Sequence, residues 1–163
     1  MVTNEIPASL TVDSVDQLAK TVFTDLHRTI VSHEAGAGAG EVEAVHDMRV
    51  AIRRLRVALV NFAVCLPRED RKRLRVRLEN LAKALGGVRD LDVMIAALES
   101  NLLTRLGEDR PAISAWMRRL KSRRRARLRQ LTEYLRGDEY AAFRREFSTE
   151  AQPLEQQSHG QAA

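Results

Sequence analysis

The segment Val45 to Arg56, VHDMRVAIRRLR, constrains this chain more than any other. At about 100° per residue, His46, Arg49, Arg53 and Arg56 fall within a sector roughly 80° wide on a single helix, and Arg54 points elsewhere. Met48, Ile52, Leu55, Leu59 and Phe62 fill the adjacent sector, so the basic row runs along the edge of the stripe that packs on a core. Guanidinium groups held there have little freedom to move. Such a row reads as a site for a polyanion rather than as a solvated face.

Charge is distributed in a way that supports this reading. The net charge is only +5, but residues 46–136 carry twenty-three bases against ten acids, while both flanks are acidic. A middle segment of +13 attracts an anionic polymer over a Debye length or more, and the acidic flanks oppose indiscriminate adhesion. The 163 residues, 44% hydrophobic and 30% charged, suffice for one compact domain with its own core. Aromatics make up 4% and prolines number four, whereas Ala, Leu, Arg and Glu are abundant, which favours helices over a sandwich or barrel. One cysteine, Cys65, excludes an intrachain disulfide and reads as a small core residue in a cytoplasmic protein. No apolar run approaches the ~20 residues that span a bilayer, and the N-terminus has neither a basic nor an apolar leader region.

The periodicity is helical throughout, giving an all-α antiparallel bundle of five to six helices over residues 14–148, with a flexible start (1–13) and a disordered tail (149–163). Ser14 and Gln17 read as a capping box, and Val15, Leu18, Val22, Leu26 and Ile30 form the stripe of a first helix ending near Glu34. The tract AGAGAG at 35–40 reads as a loop. The basic-row helix stops around Leu66-Pro67. A third helix uses Leu74, Leu78, Leu81 and Leu85 and stops at Gly86-Gly87. A fourth starts near Asp90, with Asp90 and Asp92 as cap and first-turn charge or as partners that orient Arg53 or Arg56. Pro111 opens a long fifth helix, and Tyr140, Phe143 and Phe147 mark a short sixth.

The fifth helix contains RRLKSRRRARLR. Ile113, Trp116, Leu120, Leu128, Leu131 and Tyr134 define its buried stripe, and Arg118, Arg119, Lys121, Arg123, Arg125 and Arg129 fall mostly outside it. Arg124 and Arg127 fall on the stripe, where a charge must find an anion, a carboxylate or water. Both are candidates for the anion site, with snorkelling to the bundle rim as the alternative.

VHDMRVAIRRLR followed some thirty residues later by LAKALGGVRDLDV resembles the first half of the conserved histidine α-helical domain, the CHAD family. The pattern of histidine-x-x-arginine, arginine-arginine-x-arginine and then leucine-glycine-x-x-arginine-aspartate covers residues 45–93 closely and the helices to about 147 more loosely. The resemblance implies an all-helical fold with a basic surface that binds inorganic polyphosphate. It places that role on His46, Arg49, Arg53, Arg54, Arg56 and Arg89. The family's usual domain is longer and carries a second histidine motif. No such pattern follows His27, His33 or His159, so the resemblance implies a channel incomplete in one chain, one completed by a second copy across a two-fold axis, or a fragment.

The ligand chemistry fits. Polyphosphate offers closely spaced charges and no bases, so its binder needs arginine forks rather than stacking aromatics. Single-stranded nucleic acid asks for exposed aromatic platforms, and of seven aromatics Phe23, Phe62 and Trp116 fall on core faces. Nucleic-acid binding and protein interaction stay open as alternatives. Catalysis is disfavoured, because arginines around His46 oppose its protonated form and no nucleophile stands at a matching spacing. Glu41 and Glu43 form a glutamate-x-glutamate pair, but Val45 stands where the triphosphate tunnel enzymes that accompany CHAD domains carry lysine. The expectation is a non-enzymatic protein without cofactor or metal, placed in the cytoplasm or on polyphosphate granules.

Overall fold

The computed structural model describes residues 12–102 and 110–150. Among them are six α-helices and no strand: α1 (Val12–Ser32), α2 (Glu34–Ala39), α3 (Val42–Asn61), α4 (Arg68–Leu102), α5 (Arg110–Arg136) and α6 (Asp138–Glu150), with a 3-10 turn at Ala63–Cys65. Most of the expected disordered tail and of the flexible start lies outside the described residues, and the first two positions of that tail, 149 and 150, belong to α6.

The α3 stripe is buried as the periodicity requires. Val45, Met48, Ile52 and Leu55 have no exposed surface, and Leu59 is 3% exposed. They face Leu74, Leu78, Leu81, Leu85 and Val88 of α4 in one core, which also takes Ala19, Phe23 and Ile30 of α1 and Tyr140 and Phe143 of α6. Helices α3 and α4 are antiparallel. Arg49 lies beside Gly86 and Arg56 lies 3.7 Å from Glu79, so seven residues of advance on one helix match seven of retreat on the other. Leu66 is extended before Pro67, which fixes the corner between them.

Four sequence expectations are corrected. First, α1 already runs at Val12, so Ser14 lies inside the helix rather than capping it. Its inward face is rotated to Ala19, Phe23 and Ile30, leaving Leu18 half exposed.

Second, AGAGAG is no loop. Residues 34–39 form α2, and Ala37 is completely buried against the core. Tertiary partners hold this glycine-rich turn. Thr132 Oγ1 donates to the Gly38 carbonyl (3.0 Å) and Arg124 Nη2 to the Gly40 carbonyl (2.8 Å). Gly40, at φ +84°, ends the helix with its N–H on the Ala37 carbonyl, and Glu41 N–H returns to Gly36.

Third, Gly86-Gly87 does not stop a helix, because α4 continues through both to Leu102. Two interior glycines cost about 2 kcal/mol relative to alanine. The fully buried Leu78, Leu81, Leu85 and Val88 each contribute about 1.5–3 kcal/mol by burial, and the larger sum prevails. Consequently Asp90 and Asp92 sit mid-helix and cap nothing.

Fourth, Trp116 is 50% exposed. Met117, about 100° further round α5, takes the inward place. It joins Leu91, Ile95 and Leu120 in a second, smaller cluster between the C-terminal half of α4 and the N-terminal half of α5.

The end of the bundle opposite that cluster is closed by α6. Tyr140 is 1% exposed and donates its hydroxyl to Glu34 Oε2 at 3.1 Å. Burial, with the Glu34 carboxylate adding to it, raises this hydroxyl well above the usual tyrosine range. Cys65 packs half-buried against the core rather than within it, and burial pushes its thiol up. No described helix is long and apolar enough to cross a membrane.

Candidate anion-binding site

The basic row of α3 and the glycine-containing middle of α4 enclose a groove of about 480 Å³. From α3 it is lined by His46, Arg49, Arg53 and Arg56, and from α4 by Arg89 and Asp90, over a floor that includes Val50, Ile52 and Ala82. The arrangement follows from the helix period. Burying Val45, Met48, Ile52 and Leu55 turns the residues one step round the helix to the lip of the interface, where stems lie on apolar surface and heads reach solvent. From His46 to Arg56 the row extends about 15 Å along the helix axis.

These side chains have few internal partners. Among the described residues, His46, Arg49, Arg53 and Arg89 make no hydrogen bond or ion pair, and Arg56 has only Glu79 at 3.7 Å. Asp90 is the single carboxylate among the lining residues. The groove thus holds like charges whose mutual repulsion an anion relieves.

Gly86 shapes it. A Cβ at that position would stand 2.8 Å from Arg49 Nη1, so the guanidinium lies in the space that a side chain would occupy. The sequence carried a signal for this role: apolar residues continue at helical spacing across the glycine pair, from Leu81 and Leu85 to Val88, Leu91 and Ile95. A helix that keeps its period through two glycines uses them for close approach.

Three of the candidate residues lie elsewhere. Arg54 is exposed on another face of α3, outside the groove lining. Arg124 is tied into the fold: Nε donates to Asp92 Oδ1 and Nη2 to the Gly40 carbonyl. The Arg124 and Asp92 side chains are 19% and 3% exposed, so this is a largely buried ion pair joining α4, α5 and the α2–α3 turn. Asp92 therefore orients Arg124, and neither Arg53 nor Arg56. Arg127 is exposed, lays its aliphatic stem over Gly87 and donates to Gln130 at 2.9 Å. It does not line the groove.

The exposed cations of α5 differ in kind from the groove. Lys121 pairs with Glu99 at 2.8 Å, and Arg118, Arg119, Arg123, Arg125 and Arg129 point to solvent. Phe23, Phe62, Tyr134, Tyr140 and Phe143 are in or against the core, and no aromatic side chain lines the groove.

A CHAD domain model matches residues 21–163, far beyond the 45–93 segment that carries the resemblance. No curated protein and no solved structure matches the chain significantly. The histidine-arginine row of α3, the leucine-glycine-glycine-valine-arginine-aspartate turn of α4 and the all-helical fold agree with that match, and the chain belongs to the CHAD domain family.

Proposed function

We propose that this protein binds inorganic polyphosphate in the α3–α4 groove, as a non-enzymatic binding protein that attaches to polyphosphate or works beside an enzyme that makes or degrades it. The observation that carries the reading is the grouping of His46, Arg49, Arg53, Arg56 and Arg89, four of them without partners among the described residues, along one groove with no aromatic platform among its lining residues. Arginine forks match phosphate oxygens bidentately. The CHAD domain match, a family linked to polyphosphate, supports the same ligand.

Single-stranded nucleic acid is the weaker reading, because bases stack on exposed aromatic rings and the exposed Trp116 stands outside the groove. Hydrolysis has little to work with, since the lining offers no serine, threonine or cysteine and brings only His46 and Asp90 to the groove. A groove with a basic row on one lip also accommodates a second copy across the ligand. Polyphosphate then promotes homodimerisation by offsetting the repulsion between two rows.

Titration with long-chain polyphosphate and with single- and double-stranded DNA, at equal phosphate concentration and several salt concentrations, tests the reading. Polyphosphate binding that weakens steeply with salt and outcompetes DNA is expected. Equal affinity for all three polymers overturns it.

A further inference from the structure

We propose that the phosphate-binding track does not end at Arg56 but turns the α3–α4 corner into a second basic lobe lined by Arg68, Arg71, Lys72 and Arg75. The preferred ligand is then a phosphate chain long enough to fill both lobes. This rests on the polyphosphate reading above and deepens it.

A second cavity of about 550 Å³ lies at the start of α4, and its lining includes Arg56, Arg68, Arg71, Lys72 and Arg75 with one carboxylate, Glu69. A smaller hollow lined by Arg53, Arg56, Val57, Val60, Asn61 and Arg75 joins it to the first groove. Arg53 and Arg56 belong both to the first groove and to this hollow, while Arg56 and Arg75 belong both to the hollow and to the second lobe. The helix period explains the continuity. Val57 and Val60 follow Arg53 and Arg56 on the same side of α3, and both valines are more than half exposed, so they floor an open passage.

The junction is held by Glu79, which lies 3.7 Å from Arg56 and 3.8 Å from Arg75. One carboxylate between two guanidiniums keeps them together at the passage and leaves a net positive charge for phosphate. In the second lobe, Arg71 Nη1 donates to the Ala63 carbonyl at 2.6 Å, which orients its guanidinium at the corner. Asp70 is engaged by Arg73 at 2.6 Å and so subtracts little from the field of the lobe. Arg68 and Lys72 are exposed and make no hydrogen bond or ion pair among the described residues.

The length of the track selects the ligand. From His46 to Val60 it covers about 21 Å of helix axis before it reaches Lys72 and Arg68. Orthophosphate or a di- or triphosphate occupies only part of such a track, while a flexible phosphate chain contacts all of it. Affinity therefore rises with chain length until both lobes are filled.

The test compares the whole protein with two double variants that remove equal charge, Arg68→Ala with Lys72→Ala and Arg118→Ala with Arg119→Ala, titrated with long-chain polyphosphate across a salt series. All four side chains are exposed and make no hydrogen bond or ion pair among the described residues. The first variant should lose roughly tenfold in affinity and show a salt dependence shallower by about two phosphate contacts, while the second stays within about twofold of the unmodified protein. Equal affinities for the two variants overturn the second lobe and leave the track ending at Arg56. Failure of the unmodified protein to bind polyphosphate at all overturns the underlying reading, a result visible before any variant is made.

Discussion

Arg49 lies over Gly86, with its Nη1 2.8 Å from where a Cβ of residue 86 would stand. A residue that weakens the helix by about 1 kcal/mol thus makes room for the charged end of an arginine that lines the groove. Gly86→Ala should separate stability from binding. The obstructing atom is the tip of a flexible side chain, so the variant should be as stable as the parent or more stable by up to about 1 kcal/mol in thermal unfolding. Its polyphosphate affinity should fall, because Arg49 is displaced. Unchanged affinity would show that the seat of Arg49 on α4 is immaterial.

Geometry rather than total charge should govern binding. Arg49→Ala with Arg53→Ala should abolish most polyphosphate binding at constant helix content by circular dichroism, since these side chains line the groove and are exposed. Arg119→Ala with Arg125→Ala, on solvent-facing positions of α5, removes the same charge and should weaken only long-range attraction. Comparable losses from the two pairs would assign binding to the field.

Arg124 should prove structural. Arg124→Ala leaves the Asp92 carboxylate buried without its cation, and Asp92 Oδ2 already has no hydrogen-bond partner. A destabilisation of about 3 kcal/mol or more is expected, measured by urea unfolding. Replacing both residues with apolar ones of similar volume should recover much of it. At temperatures where the single variant is folded, its polyphosphate affinity should equal that of the parent. A stable variant with lost affinity would return Arg124 to the binding site.

His27 should make the bundle acid-sensitive. Burial first, and the Arg144 charge second, hold its pKa below the ordinary histidine value. The folded state thus favours the neutral ring, and its contribution to stability is complete above about pH 6.5, where the unfolded chain is neutral too, and is lost as pH falls through the lowered folded value. The melting temperature should drop between pH 7 and pH 5, and His27→Gln should flatten that part of the profile. An identical slope in the variant would place the acid sensitivity elsewhere.

Much of the site was legible in one segment. His46, Arg49, Arg53 and Arg56 share a lip of the groove because the helix period and the burial of Met48, Ile52 and Leu55 dictate it, and both are properties of consecutive residues. Arg89 required more. It joins them only because α4 runs antiparallel to α3 in a register that sets Gly86 beside Arg49. The reading failed where a local signal met a tertiary partner. Gly86-Gly87 has the composition of a helix stop, AGAGAG that of a loop, and Arg124 the setting of an unpaired charge on an apolar stripe.

The sequence by itself determined the all-helical class, the inward stripe of α3, the basic row on its edge and the family to which these belong, since each depends on spacing within one helix. Tertiary structure alone decided that α4 is continuous, that α2 is helical, and which arginines are paired and which, among the described residues, are not. Those outcomes depend on pairs distant in the chain: Arg124 with Asp92 and Gly40, Thr132 with Gly38, Arg56 with Glu79 and Arg75. A local preference of about 1 kcal/mol per glycine yields to several buried leucines on the same helix, and a charge pairs with whatever carboxylate or carbonyl the packing brings near. Neither balance can be struck before the helices meet.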